Sequence, residues 1–223
     1  MKLLRTSMLC CVALLVAAPL LQAQDLSRYR TFSLGTSLAS VLKHTDQKAA
    51  EVKLIHAQPL LTQELTWWPS PLGTSFRSDA IEQVLFSFYN GELYKISVTY
   101  DRGATEGLTT ADMMKALSAK YGPATSVALE IDVTPNDHYD ANGKGIASWE
   151  DSQYSVNLVR SSFTDVFGLV IYSKRANAEA ELAAAQAVIL EKQEGPKREA
   201  ERQQKETDDL AAARQKNKKV FQP

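Results

Sequence analysis

The sequence predicts an α+β protein: an antiparallel sheet with two packed helices, followed by a long charged C-terminal helix broken near Gly195-Pro196. Three observations carry this prediction. Residues 81 to 101, IEQVLFSFYNGELYKISVTYD, read as two strands joined by the two-residue turn Asn90-Gly91. Both turn residues accept positive φ, as a type I′ hairpin requires. Two blocks then follow one design, a short amphipathic helix ahead of several strands separated by turn residues, which suits an antiparallel sheet with helices on it. From Arg175 onward the composition changes to Ala, Glu, Gln, Lys and Arg.

In chain order, residues 1 to 23 have the layout of a secretory signal peptide: Lys2 and Arg5, an apolar run from Met8 to Leu21, then Gln22-Ala23 before Gln24. The expected organisation is therefore signal peptide 1–23, α+β domain 24–174 and charged helical tail 175–223, with a periplasmic or secreted product. The apolar run is shorter than the ~20 residues a spanning helix needs, so no stable membrane span is expected after cleavage. Cys10 and Cys11 leave with the signal, which excludes disulfides, thiolate metal sites and a cysteine nucleophile from the mature chain. Losing Lys2 and Arg5 leaves 23 basic residues against 26 acidic ones, a formal net charge of −3. Nucleic acid is accordingly not an expected partner.

Residues 29 to 34 read as a short strand. A helix is expected from Ser37 to His44, with Thr36 or Ser37 as N-cap and Leu38, Val41 and Leu42 as its buried stripe. Val52 to His56 and Leu61 to Trp68 read as strands separated by Pro59, and 69 to 80 as a loop. In the hairpin, counting outward from the turn sets Tyr89 opposite Glu92, Ser87 opposite Tyr94, Leu85 opposite Ile96, Gln83 opposite Val98 and Ile81 opposite Tyr100. That register places the main core on this face and leaves a partial cover, a helix or loop, for Phe88, Phe86 and Val84 on the other. A slip of one residue would exchange the faces.

Thr109 with Asp112 makes a capping box for a second helix, whose Met113, Met114, Leu117 and Tyr121 share a face and which Gly122-Pro123 stops. Strands are then expected at 127–133, 146–150, 154–161 and 166–174. In the tail, Ala178, Leu182, Ala185 and Ile189 form a narrow apolar stripe suited to docking on the domain. Beyond Gly195-Pro196 the chain is charged on all sides, so it projects, binds something or frays. The two helix-then-strand blocks suggest a duplication, but LGTSLASVLK and LTTADMMKAL match only loosely.

Motifs that carry chemistry are few. Asp140, Asn142 and Gly145 fall on the first, third and sixth positions of a calcium loop, but Lys144 takes the fifth, where an oxygen ligand is wanted. His44, His56 and His138 lack ligand spacing, and no serine sits in a nucleophile elbow. No metal and no cofactor is therefore expected. In the loop after the hairpin, Asp101 and Glu106 are the candidate acid/base pair, with a turn-forming role beside Arg102 as the plainer reading. Trp67 and Trp68 are strand neighbours that must face opposite ways, one filling core and the other open to a sugar or a partner. The candidate binding residues are thus Trp67, Trp68, Arg102 and Glu106.

At TFSLGTSLASV, QELTWWP, VLFSFYNGELYKISVTYDRGATEGLTTADM, YSVNLVRSSF and NKKVFQP the chain resembles an uncharacterised family of exported bacterial proteins with a signal peptide, an α+β domain and a charged C-terminal helix. The likeness spans nearly the whole mature chain. It implies export and a domain and tail that belong together, and brings no catalytic residue with it. At the level of fold, Leu34-Gly35-Thr36-Ser37 ahead of an antiparallel sheet is similar to outer-membrane assembly lipoproteins, whose lipidated cysteine has no counterpart here.

The function expected from these readings is non-catalytic: a binding or adaptor domain of the cell envelope that meets an envelope protein or glycan, with self-association through the C-terminal helix also open. The alternative is a carboxylate-dependent hydrolase of an envelope glycan using Asp101 and Glu106.

Overall fold

The computed structural model describes residues 25–69, 80–127, 144–161 and 165–220. The fold is α+β, as the sequence predicts. After a small two-stranded hairpin, β1 (Arg28–Tyr29) and β2 (Phe32–Ser33), come α1 (Leu38–Thr45) and the strands β3 (Lys53–His56), β4 (Thr62–Trp67), β5 (Ile81–Tyr89) and β6 (Glu92–Tyr100). Then follow α2 (Thr110–Tyr121), β7 (Ser126–Val127), β8 (Lys144–Glu150), β9 (Tyr154–Arg160), β10 (Phe167–Ser173) and α3 (Lys174–Val220). Strands β3 to β10 form one antiparallel sheet in the order β3-β4-β5-β6-β10-β9-β8-β7. Of the expected strand at 127–133, only its first residue is among the described ones; most of the expected loop at 69–80 lies outside them too.

The expected strand at 29–34 is instead the β1–β2 hairpin. Arg30 takes positive φ (53°), so the chain reverses there and Tyr29 pairs with Phe32, both buried. A single extended strand would have sent these two aromatics to opposite faces.

The sheet order is that of two equivalent units. Each is a helix followed by a four-strand meander, and the units join where β6 pairs with β10. Their helices start alike. Gly35 (φ 84°) stands two residues before the N-cap Ser37, and Gly107 (φ 78°) two residues before the N-cap Thr109. Val41 and Met113 lie equally far behind their caps, and both are buried in one core. Antiparallel pairing of β6 with β10, with both helices on one face, relates the units by a two-fold axis through the sheet.

That core lies between the sheet and the layer made by α1, α2 and the β1–β2 hairpin. Phe32 packs on Phe86 at 4.6 Å between ring centroids and on Trp67 at 5.6 Å. In the second unit, the buried Trp149 donates its Nε1–H to the carbonyl of Gly122 at 2.7 Å, tying the end of α2 to β8.

The hairpin β5–β6 has the expected turn, with Asn90 at φ 54° and Gly91 at φ 83°, but its register needs correction. Tyr89 faces Glu92, Phe88 faces Leu93 and Ile81 faces Tyr100 as counted, whereas Phe86 faces Ile96 and Val84 faces Val98. Two bulges cause this. Tyr94 is an extra residue in β6 and Glu82 an extra residue in β5, so the strands slip by one and slip back. The slip puts Val84, Phe86 and Phe88 with Leu93, Ile96 and Val98 on the core face, all at most 1% exposed. The uncorrected register would have set Phe86 opposite Lys95.

Helix α2 carries the predicted capping box. The Thr109 hydroxyl oxygen accepts from the Asp112 N–H at 3.2 Å, and the Asp112 carboxylate accepts from the Thr109 N–H at 2.9 Å and from its hydroxyl at 2.6 Å. Those bonds to Thr109 hold the Asp112 carboxyl below its ordinary range. Thr109→Ala is expected to lower stability by about 1 kcal/mol in urea denaturation at neutral pH. A depressed carboxyl stabilises above its unfolded value of about 3.9 and loses that contribution as pH falls through the folded value. The deficit of the variant should therefore shrink on acidification, and a deficit unchanged down to low pH would remove Asp112 from the cap.

The second face of the sheet is covered by α3. The expected docking stripe is corrected here: Leu182 and Ile189 are 66% and 56% exposed, and the buried side chains are Asn177, Ala180, Ala183 and Ala187. The sheet face beneath is largely polar, with Ser87, Lys95, Ser97, Ser155 and Asn157 buried beside Val170. A helix meets such a face closely through alanine, whereas leucine would hold it off. The break expected at Gly195-Pro196 does not interrupt the helix either. Lys174–Val220 is one helix with Pro196 inside it. Pro196 removes one backbone bond, to the Lys192 carbonyl, and the Arg198–Glu191 ion pair spans the gap.

Candidate functional site

The cover left by α3 is incomplete. Between it and the sheet lies a cleft of about 210 Å³, walled by Glu64, Ser87, Tyr94, Lys95 and Ser97 from the strands and by Ala180 and Glu181 from α3. The bulge at Tyr94 is what turns Lys95 and Ser97 onto this face. Cross-strand pairing then aligns Glu64, Ser87 and Lys95 in one row, since Glu64 faces Ser87 and Ser87 faces Lys95. The Lys95 side chain, only 5% exposed, carries its ammonium 5.7 Å from the Tyr94 ring centroid. His56, at the end of β3, reaches the same cleft. A buried ammonium, two carboxylates and two hydroxyls can hold a small polar group by hydrogen bonds.

The loop after β6 lies elsewhere, at the end of the sheet where β9 and β10 meet. There Arg102 and Glu106 line a polar hollow with Arg160 and Asp165, which form an ion pair at 2.7 Å. The Asp101 carboxylate is engaged in the loop itself. It accepts from the Ala104 N–H at 2.8 Å, and the Asp101 carbonyl accepts from the Thr105 hydroxyl at 2.8 Å. Asp101 is thus a turn former, whereas Glu106 is exposed. Trp67, the last residue of β4, packs against Phe32 and Phe86, and Trp68, just past the strand, is 44% exposed.

A third cluster joins residues that no sequence spacing connects. Lys120, in the last turn of α2, stands 5.3 Å from the Tyr29 ring centroid and 4.8 Å from that of Tyr121. Arg30 stands 5.7 Å from the Tyr29 centroid. Burial, then the arginines Arg30 and Arg28, push the Lys120 amine below its ordinary value. Burial, then Tyr100, push the hydroxyls of both Tyr29 and Tyr121 upward, and the Tyr121 O–H donates to the Arg28 carbonyl at 3.1 Å. These groups seal the seam between the β1–β2 hairpin and α2 and keep the phenols protonated. The only local signal was the basic-aromatic pairing in Arg28-Tyr29-Arg30 and Lys120-Tyr121.

Among the described residues no group of three or more His, Cys, Asp or Glu could hold a metal ion. His44 sits on α1 with its ring 6.3 Å from that of Phe32, on a different element from His56. Asp140, Asn142 and His138 lie outside the described residues. No helix among those residues is long and apolar enough to cross a membrane. No family model, no curated protein and no solved structure matches the chain.

Proposed function

We propose that the protein is an exported, non-catalytic binding or adaptor protein of the cell envelope, in which the sheet domain roots one end of α3 and the other end is an arm that meets an envelope protein or glycan. The observation that carries this reading is the exposure of every side chain from Pro196 to Val220 along a continuous helix. This stretch buries no face on its own domain, so its length is best accounted for by contact with something else. Ion pairs such as Arg202 with Glu199 and Glu206 hold it together meanwhile. Trp68, Arg102 and Glu106 offer further contacts on the domain.

The test is photo-cross-linking in intact cells, with the reactive side chain placed at Gln204 or Lys205 on the arm and, in parallel, at Trp68 or Glu106. Adducts from the arm to one defined envelope component are the expected result. Absence of adducts from every position would overturn the reading. So would a turnover on envelope glycan abolished by Asp101→Asn with Glu106→Gln in a chain that still folds.

A further inference from the structure

On α3 four of the five large exposed apolar side chains keep a heptad phase, Val188 standing beside it. Leu182, Ile189 and Leu210 are separated by whole heptads, and Ala185, Ala213 and Val220 occupy the companion position of the same repeat. Leu182, Ile189, Leu210 and Val220 are all more than half exposed, at 66%, 56%, 72% and 75%. At the sheet end this seam runs along the side of the helix opposite the docked Ala180 and Ala187. A second helix can lie on it without displacing the sheet.

We infer that the seam is the self-association surface of the chain, and that a second copy lies on it with its α3 antiparallel, the sheet end of each helix against the arm end of the other. Charge decides the direction. The flanking positions at the sheet end are acidic, Glu179 and Glu181, and those at the arm end are basic, Arg214 and Lys216. With Leu182 opposite Ala213 and Ala185 opposite Leu210, antiparallel pairing brings Glu179 to Arg214 and Glu181 to Lys216, each twice by symmetry. A parallel pairing keeps only Asp209 with Arg214. Glu179 already accepts from Arg175, and Glu181 from Asn177, but a carboxylate has room for a second donor. The two outer layers, Leu182 with Ala213 and Ala185 with Leu210, each set a large side chain against a small one. The middle layers are polar, with Ile189 opposite Glu206, Lys192 opposite Gln203 and Pro196 opposite Glu199, so the pair is weak and sensitive to salt. In a straight helix the seam drifts by ~20° per heptad, so the paired helices wind in a left-handed supercoil. The inference does not rest on the adaptor reading, because the outer faces of the arm stay open in the pair.

The experiment uses two full-length variants, Ala185→Cys and Leu210→Cys, each with Cys10 and Cys11 replaced by Ser, mixed and oxidised. The expected product is the mixed disulfide, far above the share that random pairing gives, and it should vanish when Leu182→Asp is added. Leu182 is exposed, so that variant keeps its fold. In sedimentation, Glu179→Lys should weaken association by about tenfold, and Arg214→Glu in the same chain should restore it. A homodisulfide of Ala185→Cys would mean parallel pairing and overturn the inference. So would statistical mixing, a chain monomeric at every concentration, or a charge swap that fails to rescue.

Discussion

Phe86→Ala is expected to lower the stability of the fold by about 3–5 kcal/mol, the range for truncating a fully buried aromatic. Phe86 has no exposed surface and lies in β5, inside the first meander. It faces Leu65 on β4 and Ile96 on β6, and its ring lies 4.6 Å from Phe32 and 6.4 Å from Trp67. Phe32 belongs to the β1–β2 hairpin, so the cavity would loosen the cap as well as the sheet. Packed strands on both sides leave the site little freedom to collapse, which places the loss toward the upper end. Urea denaturation with an unchanged slope is the measurement; a loss under about 1 kcal/mol would mean that the aromatic cluster does not anchor this core.

Ile96→Lys is expected to be worse, abolishing cooperative folding. Ile96 has no exposed surface and faces Phe86 across the hairpin. The variant loses the burial of a large apolar side chain, about 1.5–3 kcal/mol, and sets an ammonium in the core. That approaches the whole stability of a typical domain. Deleting Tyr94, by contrast, should leave a folded chain: once the extra residue is gone, regular alternation gives the native pairs from Lys95 onward, Ser87 with Lys95 and Phe86 with Ile96. Near-ultraviolet circular dichroism of the two variants is the measurement, and an unfolded deletion would show that the bulge itself, not only the register it allows, is required.

What the sequence made legible was mostly local. Asn90-Gly91 announced a hairpin because few residues accept positive φ in succession, and Thr109 with Asp112 announced a helix start because both ends of the capping box lie within one turn. The bulges at Glu82 and Tyr94 were not legible, since simple alternation assumes that no residue is skipped and only packing against the opposite strand selects which one is. The choice of docking face on α3 failed for a related reason. Leu182 and Ile189 look like buried residues when the helix is read alone, and only the polar sheet face, assembled from three separate strands, explains why alanines dock instead. The candidate site residues divided likewise. That one of Trp67 and Trp68 packs in the core was legible from the sequence, but the row of Glu64, Ser87 and Lys95 depends on pairing between strands distant in sequence.

The pairing of β6 with β10 joins the two units by like ends, last strand to last strand. An interface of that kind is isologous: each partner uses the same surface, and the contact is closed by the two-fold that generates it. A doubled unit is therefore finished. A third copy would find no free last strand to meet, only β3 and β7, the first strands of the units. A further unit therefore cannot repeat the contact that joins these two, and assembly beyond the pair has to use a surface of another kind.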